Sequence, residues 1–121
     1  MILTRKLLYW EGSSKKDFKK FPIDVQKDMG VALFVVQLGG TPDSAKPWKG
    51  LGPGVYEMVG DHRGDTFRAA YTVRIGDAVH VLHAFQKKSK AGISTPQPDV
   101  ELIAKRLRLV LARYAANGRN P

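Results

Sequence analysis

The 121-residue chain contains no cysteine. That absence excludes disulfide bridges, cysteine-ligated zinc and a thiol nucleophile, and it fits a reducing compartment. Acidic residues are also scarce: 11 Asp and Glu stand against 20 Lys and Arg, for a formal charge of +9. So sparse a set offers no paired-carboxylate acid/base motif, and there is no Ser-centred elbow or metal-ligand cluster of workable spacing. No metal or other cofactor is expected. No run approaches ~18 consecutive apolar residues, so no membrane-spanning helix is expected either. Residues 1–10 are partly apolar but lack a long hydrophobic core and a small-residue cleavage site. They read as a first strand of a cytoplasmic protein.

What remains is an ordinary globular composition, 43% hydrophobic and 26% charged. Residues 1–121 form one domain large enough to bury a single core, with a frayed tail from about residue 117. The excess positive charge favours a polyanionic partner such as nucleic acid. No internal repeat or low-complexity segment is visible.

Lys6 to Trp10 reads as a strand closed by Glu11-Gly12. Ser13 and Ser14 offer caps for a short helix over Lys15 to Lys20. A second helix starts near Pro22, carries an apolar stripe of Val25, Met29, Ala32, Leu33 and Val36, and stops at Gly39-Gly40. Thr41 to Gly54 is a loop by its prolines and glycines, punctuated by Lys46, Trp48 and Lys49. Its Gly50-Leu-Gly-Pro-Gly54 run neither follows a clear strand nor opens a helix, so it fails the dinucleotide and P-loop contexts. Val55 to Val59 is the next strand, and Asp61 to Asp65, with Arg63, a hairpin tip. A last helix carries Asp99 and Glu101 in its first turn and buries Val100, Ile103, Leu107, Val110, Leu111 and Tyr114. The sum is an α+β fold: a small antiparallel sheet, a meander, with an N-terminal helical pair and a C-terminal helix. Its helices should pack on one face.

The centre of the chain is a hairpin of Asp65 to Arg74 and Val79 to Ser89 around a Gly-Asp turn, with a cationic exit at Lys87-Lys88-Ser89-Lys90. With an even loop, Arg68 faces Phe85, Ala70 faces His83 and Thr66 faces Lys87, while Tyr71 and Leu82 turn to the helices with Val73. One surface then gathers Arg68, His83 and Lys87, with Lys88 at the strand end and Phe85 as a platform for a base. Cations of this kind hold phosphate oxygens and stabilise the extra charge of a pentavalent transition state. A histidine moves a proton near neutral pH. RNA can be cut by such parts without a metal, its own 2′-hydroxyl attacking the adjacent phosphorus.

Lys46-Pro-Trp-Lys-Gly50, Tyr56-Glu57, Phe67-Arg-Ala-Ala-Tyr71, Leu82-His-Ala-Phe-Gln-Lys-Lys-Ser89 and Thr95-Pro96 together resemble the HigB-like, phage-derived branch of the RelE/ParE toxin superfamily. The resemblance covers Leu8 to about Tyr114. It implies a toxin of a type II toxin–antitoxin system, a ribosome-dependent mRNA endoribonuclease (mRNA interferase) that inhibits translation. The implied partners are the ribosome and its mRNA, and a helix-turn-helix antitoxin in a toxin–antitoxin hetero-oligomer. By the same resemblance, Arg68 contacts the scissile phosphate, Lys87 and Lys88 form the basic pair after the next strand, and His83 is the histidine before them. Lys49 matches the lysine of the loop before the sheet. Lys46, Arg63, Phe85 and Lys90 are further RNA-binding candidates. Many relatives carry an arginine where this chain has Val59, with Arg63 as the candidate substitute. A ParE-like gyrase inhibitor and a non-catalytic RNA-binding phage-derived protein are the alternative readings.

Overall fold

The computed structural model describes residues 4–87 and 95–118. Lys88 and Lys90 lie outside the described residues. The elements run β1 (Leu7–Trp10), α1 (Ser14–Phe18), α2 (Ile23–Gln37), β2 (Ala45–Pro47), β3 (Val55–His62), β4 (Asp65–Thr72), β5 (Ala78–Lys87) and α3 (Gln97–Ala116). The α+β class, the meander and the order of helices are as the sequence predicts. The five strands form one sheet in the order β1-β5-β4-β3-β2. The meander β3–β5 is antiparallel, but β1 runs parallel to β5, so the sheet is mixed.

Helices cover both faces of the sheet, not one. The α2 stripe of Val25, Met29, Ala32, Leu33 and Val36 is buried against Met58, Phe67, Ala69, Tyr71 and Val81, with Phe18 and Phe21 closing the layer. On the other face, Ile103, Leu107 and Val110 of α3 pack on Val55, Ala70, Ile75, Leu82 and Phe85. The alternation along β4 divides these two cores, since successive strand side chains point to opposite faces.

The same alternation explains where the predicted pairing holds and where it breaks. Thr66↔Lys87, Arg68↔Phe85 and Ala70↔His83 form as expected, but beyond them Tyr71 pairs with Val81 and Thr72 with His80. A β-bulge leaves Leu82 as the extra residue. Tyr71 therefore faces α2 while Leu82 joins the α3 core, and the expected Tyr71–Leu82 pair does not exist. The β4–β5 connection closes on an odd register, and the bulge restores the predicted register for the half of the hairpin that bears Arg68 and Lys87.

Two further departures lie at strand ends. Ala45–Pro47, read as loop, is a short edge strand on β3, the position in a sheet where a proline loses no ladder bond. The β3–β4 strands extend to His62 and Asp65, so the tip is the two residues Arg63 and Gly64, with φ of 51° and 86°. Two left-handed residues match the right-handed twist of a tight hairpin. At the opposite end of the sheet, β1 is tied to α3 by Glu11, which accepts hydrogen bonds from His80 Nδ1 at 2.8 Å and Arg113 at 2.7 Å. Burial alone would raise the Glu11 carboxyl. The two hydrogen bonds and the positive charge outweigh it and hold the group below its ordinary value.

Candidate active site

The α3 side of the sheet carries a cluster of charge built row by row from four strands. Lys46 on β2 stands opposite Glu57 on β3, and Arg68 on β4 stands between Val59 and Phe85. One row further along, Thr66 is paired with Asp61 on one side and Lys87 on the other. The rows bring Lys46, Glu57, Arg68 and Lys87 onto one surface.

Glu57 is the centre of this cluster. Its side chain is 7% exposed, and its Oε1 accepts from Arg68 at 2.6 Å and lies 3.3 Å from the Lys46 ammonium. Arg68 is itself only 12% exposed. A buried carboxylate is sustained by such partners, and the pair fixes the guanidinium in place. Lys87 feels the same surroundings. Burial first, then the positive charge of Arg68 and Lys46, push its ammonium below the ordinary lysine value, against the opposing pull of Glu57.

His83 shares this face, as predicted, but not as a free group. Its Nε2 is 2.7 Å from Asp99 Oδ1 in the first turn of α3, and its ring stacks on Phe85 with centroids 4.7 Å apart. Phe85 is buried beneath that stack, so the ring expected to receive a base already has His83 on it. Lys49 is exposed on the loop after β2, beside Trp48. Arg63 stands at the hairpin tip, outside the Arg68 row, and Val59 leaves that row without a second arginine.

Among the described residues, three buried side-chain atoms lack a hydrogen-bond partner: Glu57 Oε2, Arg68 Nε and His83 Nδ1. All three belong to this face. Buried polar atoms are nearly always satisfied, and an orphan marks either strain or the place of an absent partner. A cavity of about 370 Å³ is lined by Glu57 together with Trp48 and Lys49 of the loop after β2 and Gln97 and Val100 of α3. Among the described residues no group of three His, Cys, Asp or Glu side chains is placed to hold a metal ion.

Sequence reasoning singled out Arg68 and Lys87 but missed two groups. Glu57 appears in the sequence only within the Tyr56-Glu57 pair, and its place between Lys46 and Arg68 follows only once β2 and β4 pair with β3. Asp99 was read as a helix-dipole residue and not as the partner of His83.

Comparison with curated proteins and with solved structures gives no match. A protein-family model described as "Phage derived protein Gp49-like (DUF891)" matches residues 16–108, a span that includes Glu57, Arg68, His83, Lys87 and Asp99. On that match the chain belongs to the phage-derived Gp49-like family, a RelE/toxin-like family.

Proposed function

We propose that this chain is the toxin of a type II toxin–antitoxin pair and that it cuts mRNA on the ribosome. The observation that carries the reading is the gathering of Lys46, Arg68 and Lys87 around the buried Glu57 carboxylate on one face of the sheet. In this scheme the Arg68 guanidinium and the Lys46 and Lys87 ammonium groups hold the scissile phosphate and stabilise its added negative charge. Glu57 Oε2 takes the proton from the 2′-hydroxyl, whose oxygen attacks phosphorus as the bond to the 5′-oxygen breaks. Lys87, made more acidic by its surroundings, returns a proton to that leaving oxygen. The products are a 2′,3′-cyclic phosphate and a 5′-hydroxyl. His83, held by Asp99, supports the leaving-group side through Nδ1. A helix-turn-helix antitoxin silences the protein by covering this face in the cytoplasm.

The test is to incubate the purified chain with programmed ribosomes and map message ends by primer extension. Cuts within the decoding site that bear cyclic phosphate and disappear with Arg68→Ala agree with the reading. Intact message accompanied by inhibited supercoiling would replace it with the gyrase-inhibitor alternative. Intact message with retained RNA binding would leave a non-catalytic RNA-binding protein.

A further inference from the structure

We infer that the cavity beside Glu57 seats a purine base of the RNA, stacked on Trp48 and read by Gln97. The inference rests on the nuclease reading for one point, the ribose beside Glu57. At about 370 Å³ the cavity falls within the range of small-ligand sites, roughly 300–1,000 Å³. Glu57 lines it with a carboxylate side chain that is 7% exposed.

Two of its lining residues supply a platform and a reading edge. Trp48 is fixed by its backbone N–H, which donates to Val55 O at 2.9 Å, and its side chain packs on the α3-side core. An indole held in this way stacks a base with little further ordering, and stacking tolerates any base but is strongest for the larger rings. Also on the lining, the Gln97 amide nitrogen leans toward Glu101 Oε1 at 3.4 Å, leaving its carbonyl to accept from an exocyclic amine. Thr95 and Lys49 complete the polar rim. A planar ring, a hydroxyl acceptor and three cations on the adjoining surface match one ligand class, a nucleotide.

The experiment is calorimetric titration of the full-length chain with 3′-AMP, 3′-GMP, 3′-CMP and 3′-UMP. Both purine nucleotides should bind at least about fivefold more tightly than the pyrimidines. Trp48→Ala should remove that margin, and Trp48→Phe should keep most of it. Gln97→Ala, an exposed change in the first helical turn, should alter the 3′-AMP to 3′-GMP ratio and spare the pyrimidines. Equal affinities, no binding of any of the four, or binding indifferent to both positions would overturn the inference. Purine-selective binding without any cut message would retain the cavity and remove the nuclease. Cleavage without nucleotide selectivity would do the reverse.

Discussion

Replacing Glu57 by Gln keeps the shape of the site and removes the anion at its centre. Arg68, 12% exposed, then loses the oxygen 2.6 Å away that balances its charge, and Lys46 loses its partner at 3.3 Å. Breaking a buried ion pair from one side costs about 3–5 kcal/mol. Lys46 is 59% exposed, so its share is screened and adds little. The lower end, about 3 kcal/mol, is therefore expected. At roughly 4 °C per kcal/mol for a chain of this size, the Tm should fall by about 12 °C. Thermal and urea unfolding of Glu57→Gln, Arg68→Met and the double variant form a cycle. The double variant should be more stable than the two single losses predict, by about 1–3 kcal/mol, because no charge is left stranded. A Glu57→Gln loss below about 1 kcal/mol, or strict additivity, would refute the claim that this pair organises the site.

Three other consequences can be measured. Glu11 titrates below its ordinary value of 4.5 when folded, so its stabilising share is complete above that pH and is lost as pH falls through the lowered folded value. Glu11→Gln should flatten the acid limb of a stability–pH curve, and an unchanged limb would count against the His80–Glu11–Arg113 tie. Burial, then the neighbouring Tyr56, pushes the Tyr71 phenol up to about 12 from 10.0. The unfolded chain thus releases that proton first, and stability should fall as pH rises from 10 toward 12. Tyr71→Phe should lose that alkaline slope, read by denaturation at stepped pH with phenolate absorbance as the companion signal. Gly76 has φ of 60°, and a Cβ there would lie 2.5 Å from the Tyr114 ring. Gly76→Ala should lower stability by about 1–2 kcal/mol from backbone strain alone, and more from the contact. A thermal scan showing no loss would contradict the turn geometry.

The sequence made the elements readable wherever a period ran unbroken. The α2 stripe from Val25 to Val36 and the alternation in Thr66 to Ala70 both hold in the structure. Arg68 and Lys87 share a face as expected, although the even connection assumed for them is odd and the bulge at Leu82 restores their register. Three things were not readable. The bulge at Leu82 has no local marker, since Leu82 and His83 satisfy either parity until α3 supplies Asp99. The placement of α3 on the second face depends on Ile103, Leu107 and Val110 finding Leu82 and Ile75, a contact far apart in sequence. β2 is too short and too rich in proline to rise above loop composition, and its strand character comes only from pairing with Met58 to Tyr56. The centre of the site, Glu57, went unrecognised for a related reason: its significance lies in the cations on either side, which belong to other strands.

The parallel seam between β1 and β5 sets a timetable for the newborn protein. Leu7 pairs with Ala78, so the first strand to leave the ribosome has no partner until more than half of the chain has followed it. At about 5–20 residues per second that interval is roughly 4–14 s. During it the apolar face of β1 has only α1 and α2 for company, whereas the β3–β4 hairpin can close locally and early. Asp99 and Gln97 emerge later still, after every cationic strand. The face proposed to bind RNA is thus assembled last, and a chain stalled before residue 97 would carry its basic strands without the helix that completes them.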